Sequence, residues 1–293
     1  MNEKTKINND LNDIFEQGKS KNNNYNNQNK WKEQNEKRKE LYKKITDASF
    51  NIVKDSNLFK EYLNVLSRFY KYSVGNCMLI LESEPNAKQI KSEQDWIDKG
   101  YDKLEGAKAI IILEPNKSNG KIYYNPKEEY DISQTNAPIP KEKNYTAREI
   151  TSALFTMCKA EREVVDILPN GEKGSQYVES ENKLYICKGL KPEYVAKTVI
   201  QEFLKSEMQG MEQSEMNEFK TYCISYMMCR KYGIDVTGFE FTELPQELVN
   251  QKDSKNIRQE LEGIRQDFET LSTKVNEYFI QEEKIKKNKE QGR

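Results

Sequence analysis

Helical spacing of apolar residues is the strongest local signal in this chain. Apolar side chains recur at steps of three and four residues, which places them on one face of an α-helix. Pro192 lies near a predicted first turn and Gly233 lies just past a predicted last turn, and both positions are typical of helix ends. The pattern predicts helices over residues 39–53, 58–72, 74–82, 147–162, 191–210, 216–232 and 253–287.

Two pairs of short strands are predicted between these helices. Residues 107–113 form an apolar run that is β-branched in its middle, and residues 121–124 form a second strand-like run. The turn residues at 116–120 that separate them are typical of a β-hairpin. A second pair is predicted at residues 175–178 and 183–187. The predicted fold class is therefore α+β.

The composition divides the chain into four parts. Residues 1–38 are rich in Asn and Lys and offer little apolar surface to bury, which predicts a disordered tail. A small domain of helices and a β-hairpin is predicted over residues 39–140, and a second domain over residues 141–250. Residues 251–293 are predicted to form a long helix and a tail.

The last helix carries an apolar seam with heptad spacing, the pattern of a coiled coil. The seam is short and a charged tail follows it, which favours a single helix lying along the domain over a dimeric coiled coil. A homodimer through this helix stays open as the alternative. The seam consists of Ile257, Leu261, Ile264, Phe268, Leu271 and Val275.

The overall charge does not favour a nucleic-acid-binding protein. Lys and Arg number 47 against 48 Asp and Glu, so the net charge is −1. Binding to nucleic acid would have to depend on a local basic patch and on stacking aromatic side chains. The 17 tyrosines leave that route open.

Cysteine usage and hydropathy indicate a reducing compartment and no membrane partner. The five cysteines are scattered and none forms a C-x-x-C pair, so we expect them to be reduced core residues. No stretch of 18 apolar residues occurs, and the N-terminal residues contain no apolar segment of a signal peptide. The expected location is cytoplasmic.

A string of short motifs runs through the first half of the chain. It contains residues 72–80 (YSVGNCMLI), Trp96, residues 110–115 (IIILEP) and residues 130–135 (YDISQT). This string resembles the pattern YS-x-x-N-x-x-LI … W … I-x-I-x-x-P … FD-x-SQT of the ArdC-like antirestriction proteins of plasmids and integrative elements. In that family a single-stranded-DNA-binding domain precedes a zincin-type metallopeptidase domain related to ImmA/IrrE. The resemblance implies the same order of domains here.

The second half resembles the peptidase domain of that family but departs from it at the metal site. The helix predicted over residues 191–210 stands where the family has its HExxH helix, and the five positions in register are Gln201-Glu202-Phe203-Leu204-Lys205. A zincin needs two neutral imidazoles one helical turn apart, a third ligand from another helix and a glutamate base. Only the glutamate is kept, at Glu202.

The lost ligands predict a protein without a metal site. Gln201 is a poor ligand, Lys205 is a cation that would repel a metal, and the chain contains no histidine. By alignment Tyr222 stands at the third ligand position, although Glu215 and Glu218 lie close to it in the sequence. We expect no zinc peptidase activity, no bound metal and no cofactor. The predicted replacement is an ion pair between Glu202 and Lys205 on one helix face.

The first domain keeps more of the family pattern and supplies candidate DNA contacts. Its loop over residues 100–108 has lost three basic positions of the family pattern, to Tyr101, Leu104 and Glu105, so the electrostatic attraction for phosphates is expected to be weaker. Interleaved rings and cations suit the stacking of unpaired bases, although Tyr72 and Trp96 are equally compatible with core positions. The candidates are Arg68, Lys71, Tyr72, Asn76, Lys88, Lys91, Trp96, Lys99, Tyr101, Lys103 and Lys108.

Two functions follow as hypotheses. The favoured one is a catalytically inactive ArdC-like protein of a plasmid, integrative element or phage that binds single-stranded DNA or protects DNA from host defence. The alternative is a protein-interaction module, in which the inactive peptidase fold binds a repressor or a host-defence protein without cleaving it. An enzyme of other chemistry is disfavoured because neither a histidine-based triad nor a Gly-rich phosphate loop is present.

Overall fold

The computed structural model describes residues 31–118, 120–140, 144–208, 210 and 214–291. Disorder was predicted for residues 1–38, and residues 1–30 of that range lie outside the described residues. Residues 31–38 are helical, so the prediction is wrong there. They extend the helix that buries Leu41 and Ile45, and an ion pair of 3.3 Å between Lys37 and Glu33 supports its early turns.

The described residues form an α+β fold of helices and two small sheets. The helices are α1 (residues 31–52), α2 (Ser56–Phe69), α3 (Val74–Ser83), α4 (Glu93–Ile97), α5 (Ala147–Met157), α6 (Pro192–Glu207), α7 (Glu215–Lys231), α8 (Gln246–Val249) and α9 (Ser254–Gln291). The strands are β1 (Ile90–Lys91), β2 (Ile110–Ser118), β3 (Lys121–Asp131), β4 (Glu161–Val165), β5 (Ser175–Val178) and β6 (Lys183–Cys187).

Side-chain caps begin several of the helices. Asp55 accepts hydrogen bonds from the backbone N–H groups at the start of α2, and Ser73 does the same for α3. Pro192 is the first residue of α6, where its missing N–H is not needed. Gly233 has a φ of 71° directly after the C-cap of α7, which confirms its predicted role.

The first sheet has the strand order β1-β3-β2 and is antiparallel throughout. The predicted hairpin is confirmed but is longer than the sequence indicated, because β2 and β3 stay paired from Ile110 opposite Glu129 to Ser118 opposite Lys121. β1 pairs only with the last two residues of β3. The outer part of the hairpin therefore forms a two-stranded arm.

The second sheet has the strand order β4-β6-β5. The predicted antiparallel pair β5–β6 is confirmed. The helix predicted over residues 147–162 is wrong at its end, because α5 stops at Met157 and the backbone is already extended at Cys158. The residues that follow form β4, which pairs in parallel with β6 and was not predicted.

The two halves of the chain share one hydrophobic core. The ring of Phe59 on α2 lies 5.5 Å from that of Phe219 on α7, and the Tyr226 hydroxyl donates a hydrogen bond of 2.7 Å to Asn64 Oδ1. The proposed boundary near residue 140 therefore does not divide the core. Four of the five cysteines are buried and Cys158 is half-buried, all as free thiols.

Helix α9 lies along this core. All six residues of its apolar seam are at most 3% exposed, which confirms the favoured interpretation of a helix that packs on its own chain. Pairing of two chains through the seam would require side chains that the core already covers. Within the described residues, no helix combines the length and the apolar composition needed to cross a bilayer.

Candidate functional site

Glu202 on α6 is bound by two neighbours, one from the sheet and one from its own helix. Its Oε2 accepts a hydrogen bond of 2.7 Å from the backbone N–H of Tyr177 on β5. Its Oε1 accepts one of 2.9 Å from Lys205 Nζ, one helical turn away, so the predicted ion pair is confirmed. Both carboxylate oxygens are therefore engaged, and an ammonium group stands beside them.

The positions in register with the zincin motif face a groove between α6 and α7. Gln201, Lys205 and Tyr222 line a cavity of about 330 Å³, together with Glu215 and Glu218. The structure thus brings Gln201, Lys205 and Tyr222 together in one groove. Lys205 and Glu218 also line a second cavity of about 360 Å³, which lies against β5 and Glu202.

Tyr222 is held away from a ligand role by its surroundings. Its hydroxyl oxygen accepts a hydrogen bond of 2.8 Å from the backbone N–H of Glu240, and its ring packs against those of Phe239 and Phe241. Burial raises the pKa of the Tyr222 phenol. A protonated phenol, an amide and an ammonium group do not fit a divalent cation. Among the described residues, no group of three His, Cys, Asp or Glu side chains is arranged to hold a metal.

Two of the candidate DNA contacts, Asn76 and Arg68, make hydrogen bonds to the backbone of neighbouring segments. The Asn76 amide donates to the carbonyl of Leu113 and accepts from its N–H, both at 2.9 Å, which joins α3 to β2. Arg68 donates to the carbonyls of Ala87 and Pro85. Asn76 is buried and Arg68 is partly buried, so the structure gives both a role in packing.

Trp96 is a core residue and not a platform for bases. Its side chain is 2% exposed, and its indole N–H donates a hydrogen bond of 2.9 Å to the carbonyl of Tyr130. With Tyr130 and Ile132 it forms a small apolar cluster, against which Tyr101 packs edge-on. The burial of Trp96 leaves no ring face for stacking. This outcome corrects its place among the candidates.

Two lysines lie beside this small cluster. Lys91 Nζ lies 5.8 Å from the centre of the Trp96 ring, and Lys103 pairs with Glu93 at 3.0 Å and lies over the ring of Tyr130. Of the remaining candidates, Tyr72 packs edge-on against Phe69, and burial raises the pKa of its phenol to about 12. The exposed candidates are Lys71, Lys88, Lys99 and Lys108.

The motif at residues 130–135 forms a hydrogen-bonded turn around Asp131. The Asp131 carboxylate accepts from the backbone N–H groups of Lys88, Gln89 and Ser133, and from the Ser133 hydroxyl. Burial by itself raises the pKa of Asp131, but these hydrogen bonds outweigh it and hold the pKa below its usual value. The Gln134 side chain accepts from the Asp131 N–H and donates to the carbonyl of Lys108.

Sequence reasoning missed the exposed end of the β2–β3 arm. Tyr123 and Tyr124 are 44% and 42% exposed, and Lys117 and Lys121 beside them are exposed as well. The signal was present in the sequence, because no Asp or Glu occurs between Glu114 and Glu128. The segment lies outside the motifs of the resemblance, which is why no residue of it is among the predicted DNA contacts.

Comparison with known proteins gives structural likeness only. No family profile matches the chain, and no curated protein matches it. The chain is similar to the Mn(II)-bound crystal structure of the antirestriction protein ArdC from plasmid R388, with a TM-score of 0.47 and 11% identity over 70% of this chain and 85% of that one. For the metal-free structure of the same protein the TM-score is 0.45, with 11% identity over 70% and 86%. This likeness concerns the path of the chain and assigns no side chain a role.

Proposed function

We propose that this chain binds single-stranded DNA without peptidase chemistry and protects the DNA of a mobile genetic element from host defence. The motif string of its first half, which resembles that of ArdC-like antirestriction proteins, motivates the choice of ligand. The zincin-like second half serves as a scaffold in this proposal.

The proposal is carried by the turn at residues 131–135, which hydrogen-bonds the backbone of two residues whose lysine side chains are exposed. The backbone N–H of Lys88 donates to Asp131 Oδ1 at 2.7 Å, and the carbonyl of Lys108 accepts from Gln134 Nε2 at 2.8 Å. Both lysine side chains are exposed. One hydrogen-bonded turn therefore holds the backbone of two residues whose lysine side chains are exposed beside the first sheet, and these side chains suit contacts with the phosphates of a flexible strand.

Fluorescence anisotropy of a labelled oligothymidylate longer than about 16 nucleotides tests this function. We expect binding at low salt that weakens as salt is raised, because bound lysines release counterions from the phosphates. The double variant Lys88→Glu/Lys108→Glu should bind more weakly, whereas the charge-matched Lys159→Glu/Lys255→Glu, in other elements, should bind like the wild type. Trp96→Ala is unsuitable as a probe because it would open a cavity in the core. Absence of binding at low salt would overturn the proposal.

The proposed lack of catalysis has its own test. The ammonium group of Lys205 lies beside the only glutamate kept from the motif, so we expect no saturable heat on titration with Zn²⁺ or Mn²⁺. The variant Gln201→His/Lys205→His restores two imidazoles one turn apart and should gain affinity for Zn²⁺ over the wild type. Hydrolysis of a fluorogenic peptide that is chelator-sensitive in the wild type and lost in Glu202→Gln would refute this part of the proposal.

A second function, binding of a protein segment, is favoured by one observation. Strand β5 is at the edge of its sheet and lines the cavity of about 360 Å³ beside α6 and α7. An edge strand next to a groove can take an added strand from a partner, such as a repressor or a host-defence protein. The N–H of Tyr177 faces the free edge of β5, where it meets Glu202, whereas the N–H of Gln176 faces β6. The substitution Tyr177→Pro should therefore weaken the binding of such a partner and leave the β5–β6 pairing and DNA binding unchanged.

A further inference from the structure

The outer half of the β2–β3 arm combines exposure, rings and positive charge. β1 pairs with β3 only at Tyr130 and Asp131, so farther out, within the described part of the chain, each strand of the arm has the other as its only paired strand. The side chains of residues 115–117 and 121–124 are exposed. This segment of the molecule offers both faces of a narrow ribbon to a ligand.

Strand alternation gives each face of the arm one ring and one cation. Residues directly opposite each other in an antiparallel pair share a face, and neighbours along a strand point to opposite faces. Lys117 is opposite Ile122, and Tyr124 lies two residues beyond Ile122, so these three share one face. Tyr123 and Lys121 share the other.

The base of the arm is fixed to the rest of the molecule. Lys127 Nζ bonds Glu114 across the strands at 2.8 Å and lies 3.0 Å from Glu129. Arg38 on α1 donates to Asn125 Oδ1 at 3.0 Å. At the base Lys127 is paired with acidic residues, whereas the outer half carries lysines and no acidic residue.

We infer that the outer half of the arm is a contact site for single-stranded DNA, with bases stacked on Tyr123 and Tyr124 and phosphates held by Lys117 and Lys121. This inference rests on the proposed function and names a part of its binding surface. Lysines alone would be explained as protection of an exposed strand edge against pairing with another chain. Two exposed rings beside them are not needed for that purpose, and they suit unpaired bases, whose faces are open.

The test uses the full chain and measures anisotropy at several salt concentrations. Tyr123→Ala/Tyr124→Ala should lower the affinity for oligothymidylate by about tenfold or more, since each stacked base contributes appreciably to binding. Tyr123→Phe/Tyr124→Phe should keep most of the affinity, because stacking does not need the hydroxyl. Tyr194→Ala, which removes an equally exposed ring from α6, is the matched control and should bind like the wild type.

The lysines are tested through the salt dependence. Lys117→Gln/Lys121→Gln should reduce the slope of log K against log salt by about 1.4, the value for two phosphate contacts on a single strand. Lys159→Gln/Lys255→Gln is the control and should leave the slope unchanged. Circular dichroism should show that all these surface variants are folded.

The outcomes separate this inference from the function on which it rests. If the wild type does not bind the oligonucleotide, the proposed function fails and the inference fails with it. If the wild type binds and Lys88→Glu/Lys108→Glu weakens binding, while the arm variants bind like the wild type, only the inference is overturned. If Tyr123→Ala/Tyr124→Ala lost as much affinity for duplex DNA as for single-stranded DNA, stacking of unpaired bases on the arm would be overturned.

Discussion

Asn76 joins helix α3 to strand β2 through both ends of its amide group. Replacement of Asn76 by Ala would leave the N–H and the carbonyl of Leu113 buried without partners. Because a buried unsatisfied polar group costs about 1–3 kcal/mol, we expect Asn76→Ala to lower the free energy of unfolding by about 2 kcal/mol or more in urea denaturation. The exposed Asn86→Ala serves as control and should change it by less than about 0.5 kcal/mol. An equal effect of the two substitutions would contradict the structural role of Asn76.

Asp131 is expected to make stability depend on pH in a defined window. Its pKa is lower in the folded protein than in the unfolded chain, so its contribution is fully present above the unfolded pKa and is lost as pH falls through the folded value. Asp131→Asn should lower the free energy of unfolding by about 2 kcal/mol at pH 7, because it replaces hydrogen bonds to a charged carboxylate by weaker ones to a neutral amide.

The measurement for Asp131 is thermal or urea unfolding between pH 7 and pH 3. The difference between wild type and Asp131→Asn should stay constant down to about pH 4 and then shrink, because the wild type loses its ionised carboxylate. Asp102→Asn, which changes an exposed carboxylate in the same part of the chain, is the control and should change the free energy of unfolding at pH 7 by less than about 0.5 kcal/mol. If the difference in stability between wild type and Asp131→Asn grew as the pH fell, the pKa of Asp131 would be raised in the folded protein and not lowered.

Local contacts at the residue scale could be predicted from the sequence, and distant ones could not. The Glu202–Lys205 ion pair follows from helical spacing alone, so it was predicted correctly. Trp96 and Asn76 depend on partners 34 and 37 residues away, at Tyr130 and Leu113. No local pattern distinguishes a buried ring that donates to a backbone carbonyl from an exposed ring that stacks on a base.

Helix α9 is expected to divide into a structural part and a dispensable end. Buried side chains continue to Phe279, whose ring is stacked on Tyr145 with a centroid distance of 3.8 Å, whereas Ile280 and Ile285 are exposed. Deletion of residues 282–293 should therefore shift Tm only slightly. Deletion from residue 268 onward removes several buried apolar side chains, each contributing about 2–5 kcal/mol, and should abolish folding.

Thermal unfolding followed by circular dichroism compares the two truncations with the full chain. A large fall in Tm for the shorter deletion would mean that the end of α9 has a packing role beyond the contacts described. Sedimentation equilibrium of the full chain gives the oligomeric state in the same preparation. Because the seam is covered by the core of its own chain, a dimer would have to use another surface.

Helices with a clear apolar face were predicted at the element scale, but strands with long-range partners were only partly predicted. α2, predicted over residues 58–72, covers Ser56–Phe69, because its buried face is a local pattern of spacings. β4 was missed because four of its five side chains are exposed and its partner in the sheet is β6, about 20 residues farther along the chain. Parallel pairing of this kind leaves little trace in a short sequence window.

The whole molecule is held together by contacts between its two halves. Lys60 Nζ on α2 donates a hydrogen bond of 3.0 Å to the carbonyl of Phe239, and Arg265 on α9 donates one of 2.6 Å to the carbonyl of Tyr70. Arg265 also pairs with Glu262 and Glu269 at 2.7 Å. α9 thus contacts elements from both halves, whose apolar side chains meet in one core. The four-part division predicted from composition describes the order of the segments along the chain and not separate cores.

A shared core predicts a single cooperative unfolding transition for the whole chain. Phe59 and Leu63 on α2 are fully buried in a core to which α7 and α9 also contribute, so loss of the second half would expose them. Differential scanning calorimetry should show one peak whose calorimetric and van't Hoff enthalpies agree. A fragment limited to residues 31–140 should show no cooperative melting, because that exposed surface would have no partner. Two separate peaks, or a fragment that melts cooperatively, would mean that the first half folds by itself and that the motif string at residues 72–135 marks an independent domain.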